Sequence, residues 1–174
     1  MKIGRILAFL LTGCLSMLVV SAHASRPDDR FQRTILVSHN IERVTLGLKP
    51  LHWNAQLADE ANEWARRLAR EGRIRHSHVT ERKGAGENLW AGTHGYYQPQ
   101  DIMNAFLAER RDFRAGVFPD VSRTGSWNDV GHYTQIIWPD TRYVGCASAR
   151  GRSYDYVVCR YWPAGNIIGR RIAP

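Results

Sequence analysis

Lysine is nearly absent from this 174-residue sequence, occurring only at positions 2, 49 and 83, so the excess of 24 Lys and Arg over 16 Asp and Glu is almost entirely arginine. No basic run is interleaved with aromatic residues. Arg66-Arg67, Arg110-Arg111 and Arg170-Arg171 are scattered pairs that read as solvated helix faces, which argues against a nucleic-acid partner. Internal repeats and low-complexity segments are also missing, leaving one domain long enough to bury a core. Neither H-E-x-x-H nor G-x-S-x-G occurs, which excludes the zincin helix and the nucleophile elbow. "GAGENL" lacks the third glycine of a dinucleotide fingerprint.

Long hydrophobic runs are missing too, apart from Ile6 to Val20, whose 15 residues fall short of the roughly 20 needed to span a bilayer. Lys2 and Arg5 precede this run and Ala22-His23-Ala24 follows it, so residues 1–24 read as a signal peptide cut after Ala24, and the protein as secreted or periplasmic. Leu11-Thr12-Gly13-Cys14 resembles a lipobox. Because apolar residues continue past it to Val20, cleavage at Ala24 is preferred over lipidation of Cys14. Cleavage leaves 22 Lys and Arg against 16 Asp and Glu, a net +6. An exported chain of that charge meets anionic lipids and envelope polysaccharides first.

Residues 25–30 form a polar lead-in, and the domain is assigned to 31–174. Phe31 to Thr45 places Phe31, Ile35, Leu36, Ile41 and Val44 at helical intervals before Gly47 and Pro50, which predicts a first helix. In a second, Asn54 is the N-cap, Leu57, Ala61, Trp64 and Leu68 recur on one face, and Gly72 ends it. Ile74 to Ser77 reads as a short strand and Gly84 to Gly95 as loop. A third helix starts near Pro99 and carries Ile102, Phe106, Glu109 and Phe113 on one face, so a carboxylate shares an apolar stripe. "GHYTQIIW", from Gly131 to Trp138, reads as a short helix or a turn, with Ile136, Ile137 and Trp138 in the core. Trp53, Trp64 and Tyr161 are placed in the core as well.

Arg142 to Ala149 and Tyr154 to Trp162 are strand-like runs about Gly151-Arg152-Ser153. If the hairpin turns between Arg152 and Ser153, opposed residue numbers sum to 305. Cys146 then faces Cys159, Val144 faces Tyr161 and Ser148 faces Val157. Opposed Cβ atoms lie about 4.5 to 5.5 Å apart, within reach of a disulfide that an oxidising compartment favours. This pairing removes both cysteines as nucleophiles.

The run from Gly131 to Thr141 ("GHYTQIIWPDT") and that from Tyr156 to Ile167 ("YVVCRYWPAGNI") resemble the two signatures of the CAP superfamily, the cysteine-rich secretory, antigen 5 and pathogenesis-related 1 proteins with their SCP domain. "GENLW" at Gly86 to Trp90 and "SHNIER" at Ser38 to Arg43 are further marks in the family's order. The resemblance covers Phe31 to Ile168 and is closest in style to the short bacterial secreted type. It implies an α+β fold: a three-layer α-β-α sandwich with a small antiparallel sheet and a shallow cavity. Mapped onto this sequence, the cavity's two histidines and two acids are His76, Glu87, Glu109 and His132. With one disulfide, no cysteine-rich extension and little tail beyond Asn166, the chain departs from members with channel-blocking or venom-type roles.

Two imidazoles and two carboxylates are the donors that Zn²⁺ or another divalent cation accepts, and a metal-bound water would support hydrolysis with Glu87 and His132 as candidate catalytic groups. A Ser77, His76 and Glu87 arrangement would be the serine-type alternative. The preferred reading is a hydrogen-bonded network with an optional metal and no obligatory cofactor, in a protein that binds rather than catalyses. His78 and His94 are read as surface residues. The expected ligand is a small apolar or lipidic molecule or an envelope component, with Phe113, Phe118 and Trp127 as lipid-loop candidates. For Phe113 above all, the plainer reading is that it closes the core. A third reading uses the arginine-rich surface alone, against an anionic envelope surface.

Overall fold

The computed structural model describes residues 27–172, so the leader assigned to residues 1–24, its cleavage site and Cys14 lie outside the described residues. The described residues form four α-helices: α1 (Pro27–Thr45), α2 (Ala55–Glu71), α3 (Pro99–Ala108) and α4 (Gly131–Ile136). The strands are β1 (His52–Trp53), β2 (Gly86–Thr93), β3 (Gly116–Val117), β4 (Tyr143–Arg150), β5 (Tyr154–Trp162) and β6 (Arg171–Ile172). The central sheet runs β1-β4-β5-β2, and β3 pairs with β6 in a separate ribbon. Because β1 is parallel to β4, the sheet is mixed rather than wholly antiparallel.

α2 has both expected ends. The Asn54 side chain accepts the Leu57 N–H at 2.9 Å, and Gly72, at φ 66, donates its N–H to Leu68. Its apolar face, Ala61, Trp64, Ala65 and Leu68, packs on Leu89, Tyr156 and Val158 of the sheet. Successive residues of a strand point to opposite faces, so Val157, Cys159 and Tyr161 turn to the other side and meet Ile35, Phe106, Ile136 and Trp138. The sheet is thus the middle of three layers. The hairpin has the expected register, Cys146 opposite Cys159 and Val144 opposite Tyr161, and the cysteines are bonded.

The helical layer touches β4 most closely at Gly145, where a Cβ would stand against backbone atoms of Asn54, Leu57 and Ala58. Neither backbone can retreat without breaking the cap of α2 or the β4–β5 ladder. Gly145→Val is therefore expected to destabilise the fold by about 3 kcal/mol, the upper end for overpacking. Urea unfolding of the variant measures it, and a change below about 0.5 kcal/mol, the ordinary range of surface substitutions, would contradict this packing.

Several expectations are corrected. α1 begins at Pro27, inside the supposed lead-in, with proline in the first turn where its missing N–H is harmless. Its buried face also differs: Ile35 is buried together with Ser38, His39, Glu42 and Arg43, whereas Ile41 and Val44 are exposed. Ile74 to Ser77 is not a strand, and the supposed Gly84 to Gly95 loop contains β2, which pairs with β5 along its whole length. Gly86 and Gly92 signalled a loop, but they sit within β2 because the Gln135 side chain lies against Gly86 and the Trp90 and Tyr97 rings against Gly92. α3 ends at Ala108 and tightens into a 3₁₀ turn over Glu109–Asp112, so Phe113 lies beyond it, packed edge-on to Tyr133. Trp53 is only partly buried, whereas Trp64, Trp138 and Tyr161 are core residues.

Candidate functional site

Glu87 leaves β2 directly opposite Arg160 of β5, and the two side chains, 1% and 3% exposed, pair at 2.8 Å. The remaining acceptor capacity of the carboxylate is used by the segment before β2. Ser77 donates its N–H to Oε1 and its hydroxyl to Oε2, both at 3.0 Å, and His76 Nδ1 bonds Oε1 at 2.6 Å. Burial pushes the Glu87 carboxyl up, but His76, Arg160 and the Ser77 N–H outweigh it and hold it below the usual range. The Ser77 hydroxyl also accepts from Arg160 at 2.8 Å. It therefore lies between a guanidinium and a carboxylate, and the bond of His76 goes to Glu87.

The second pair is built differently. α4 is six residues long, and its opening N–H groups need acceptors from outside the helix. Glu109, from the 3₁₀ turn after α3, supplies them: Oε2 accepts the N–H groups of His132 and Tyr133, each at 3.0 Å. Oε1 bonds His132 Nδ1 at 2.6 Å, and the ring stacks on Phe106 with centroids 4.6 Å apart. An anion at a helix start is favoured by the dipole, and it holds this imidazole in one orientation.

His76 and His132 both line an open cavity of about 470 Å³, together with Asn88, Trp127, Gln135 and Asn166. Each ring bonds a carboxylate through Nδ1, and neither Nε2 bonds another described residue. A carboxylate that orients a ring through one nitrogen makes the other nitrogen a better metal ligand. The donor set therefore fits a divalent cation held by two imidazoles, with Glu87 and Glu109 behind them as orienting groups rather than as ligands. Among the described residues no cluster of three or more His, Cys, Asp or Glu converges as a closed zinc site requires.

Of the lipid-loop candidates, Phe118 is buried between Trp127 and Trp138, Phe113 is partly buried, and Trp127 is 42% exposed at the cavity rim. His78 and His94 are exposed. Sequence reasoning missed Arg160, the cation under the site. Its signal was its place opposite Glu87, invisible while β2 was read as loop.

The remaining motif residues hold the layers together. Arg43 donates to the carbonyls of Lys49, Ile136, Trp138 and Thr141 at 2.8 to 3.1 Å. Glu42 accepts the Tyr133 hydroxyl at 2.7 Å.

The sequence profile of the cysteine-rich secretory protein family, CAP, matches residues 36–161. The chain belongs to that family. This CAP domain is 32% identical over 164 residues to pathogenesis-related protein 1A of Nicotiana tabacum, covering 93% of this chain and 92% of the tobacco protein. It is 31% identical over 163 residues to pathogenesis-related leaf protein 4 of Solanum lycopersicum, covering 93% and 94%. Among solved structures, NaASP2 with Zn²⁺ superposes with a TM-score of 0.69 at 25% identity, covering 82% of this chain and 84% of that one. No helix among the described residues is long and apolar enough to cross a membrane.

Proposed function

We propose that this CAP domain is an exported binding protein, not a hydrolase, and that its His76 and His132 cavity takes a divalent cation through the two Nε2 atoms. The observation that supports this reading is the pair of imidazoles that line one cavity, each with Nδ1 bonded to a carboxylate, Glu87 or Glu109. A cation there supplies a Lewis-acidic point to which an oxygen of the ligand is attached. Serine chemistry is disfavoured because the Ser77 hydroxyl accepts from Arg160 and donates to Glu87, a carboxylate whose pairing with Arg160 and lowered pKa make it a weak base, and no imidazole bonds that hydroxyl. The structural similarity to NaASP2 with Zn²⁺ supports the metal reading.

The ligand is a small apolar or lipidic molecule or an envelope component. An apolar ligand is supported by the groove between α1 and α3, about 350 Å³, where Val37, Ile41 and Leu107 face solvent-accessible space. The basic surface favours an anionic envelope as the place where the protein works.

Titration with Zn²⁺ by calorimetry tests the cavity. His76 is 60% exposed but bonds the buried Glu87 carboxylate, so His76→Ala is expected to lower the melting temperature modestly and to weaken Zn²⁺ binding at least tenfold. Glu109→Gln, which keeps one oxygen for the opening N–H groups of α4 but removes the charge that orients His132, is expected to weaken it by about 10- to 100-fold. Unchanged affinity in both variants would remove the metal reading. Turnover of a peptide or ester library by the wild type, lost in Glu87→Gln or His132→Ala with the fold intact, would replace binding by hydrolysis.

A further inference from the structure

β1 pairs with only Tyr143 and Val144, so the outer edge of β4 from Gly145 to Arg150 has no strand partner among the described residues. Two concavities flank that edge, one on the α2 face of the sheet and one on the face turned to α1 and α3, and they share Ser148, Ala149 and Arg150. One, about 480 Å³, lies between α2 and the β4–β5 turn and is lined by Asn62, Arg66, Arg70, Arg150 and Arg152. The other, about 660 Å³, runs from the same Ser148–Arg150 stretch past Trp90 and Tyr97 to Gln98 and Asp155. Both volumes fall within the range of small-ligand sites, about 300 to 1,000 Å³.

The charge in the first concavity is left uncompensated while its neighbours are neutralised. Arg67 pairs with Glu81 at 2.8 Å and Arg75 with Glu71 at 2.9 Å. Arg66, Arg70 and Arg152 meet no carboxylate among the described residues, and Arg150 reaches only Asp155, at 3.8 Å. That carboxylate is itself engaged, accepting the Gly95 N–H at 2.7 Å and lying 3.6 Å from His94. Asn62, Arg66 and Arg70 are spaced by four on α2 and so share a face. The planar guanidinium is the side chain best suited to a carboxylate or sulfate through paired N–H donors.

The second concavity mixes aromatic, aliphatic and polar side chains, with Phe31, Pro99, Ile102 and Val157 beside the two rings and Arg30 among the polar groups. Trp90 and Tyr97 meet edge to face with centroids 5.0 Å apart, Tyr97 is 43% exposed, and Gln98 and Asp155 bring polar groups alongside. Aromatic and apolar faces flanked by hydrogen-bonding side chains suit the alternating apolar and hydroxylated surface of sugar rings, and the arginines beside them favour a sugar that carries acid groups. We propose that the two concavities along the β4 edge together bind an acidic oligosaccharide, its acid groups on Arg66, Arg70, Arg150 and Arg152 and its rings against Trp90 and Tyr97. This site is separate from the His76 and His132 cavity and needs no cation.

The test is calorimetry of the full chain, with chelator present so that the outcome is independent of any metal, using an oligogalacturonate, a heparin-derived octasaccharide and a methyl-esterified, neutral oligogalacturonate. At least one acidic probe is expected to bind, at least tenfold more tightly than the neutral one, and to weaken as salt rises. The Arg66→Ser, Arg70→Ser, Arg152→Ser triple variant should lose tenfold or more with an unchanged melting temperature. Tyr97→Ala should weaken binding severalfold and leave the salt dependence as it was. Failure of both acidic probes to bind would overturn the proposal, as would full affinity in the triple variant. So would a Tyr97→Ala variant that binds like the wild type, since the arginines would then be a charge patch without a sugar site. Arginine-dependent binding to phosphatidylglycerol vesicles without binding of either oligosaccharide would reassign this edge to a membrane surface.

Discussion

Lowering the pH from 7 to 4 is expected to remove about 3 kcal/mol of stability through one residue, His39. This imidazole is fully buried, its Nδ1–H donates to the Ile35 carbonyl at 2.8 Å, and its Nε2 accepts the Tyr161 hydroxyl at 2.9 Å. Burial holds its pKa down at about 4, against 6.5 for the ordinary residue. Between those values the unfolded chain carries the proton and the folded one does not, so stability rises with pH across the window and is lost as pH falls through it. A proton on Nε2 would also confront the Tyr161 hydroxyl with a second donor, while Asn88 already donates to that oxygen at 3.1 Å. The measurement is urea unfolding of the wild type and His39→Met at steps from pH 7 to 4. The variant is expected to start lower, by about 1 to 3 kcal/mol for the lost hydrogen bonds, and to lack the slope over this window. A variant with the wild-type slope would show that another group titrates there.

Removing the Glu87 carboxylate has the largest expected cost of a single substitution. Glu87→Ala leaves the Arg160 guanidinium, 3% exposed, without its counter-charge, and breaking such a buried pair typically costs about 3 to 5 kcal/mol. Replacing both partners, Glu87→Met with Arg160→Met, is expected to recover much of that, because no buried charge is then left alone. The comparison of single and double variants in urea is decisive: a single variant within 1 kcal/mol of wild type would mean that water reaches Arg160. Since Glu87 titrates below the usual carboxylate range, its contribution is fully present above that range and is lost as pH falls from the ordinary value of 4.5, at the acid end of the His39 window, through the lowered one.

The features legible in the sequence were those whose partners are close in the chain. The β4–β5 register followed from one turn, and α2 from its own caps and spacing, with no distant contact required. α1 was legible as a helix but not in its orientation. Its inward polar groups are satisfied by residues 91 to 122 positions away, Tyr133, Ile136, Trp138, Thr141 and Tyr161, so apolar spacing alone pointed to the wrong face. β2 was hidden because its glycines serve close packing rather than a turn. The four cavity residues span 57 positions and came from the family resemblance, although Glu109 already stood out as a carboxylate on an apolar stripe. Arg160 was lost together with β2, since only strand pairing places it under Glu87.

The carbonyls that receive Arg43 and the hydroxyl that receives His39 bear on the order in which this chain becomes a protein. Among the described elements α1 comes first in the chain, yet the groups that complete its inner face belong to the last third of it. Until that part is made, the helix exposes a guanidinium and an imidazole that have nowhere to dock. Contacts of such long sequence separation form late and together. Closing of that inner face therefore waits for the last third of the chain, so the docking of α1 is tied to the formation of α4 and β5 rather than to its own completion.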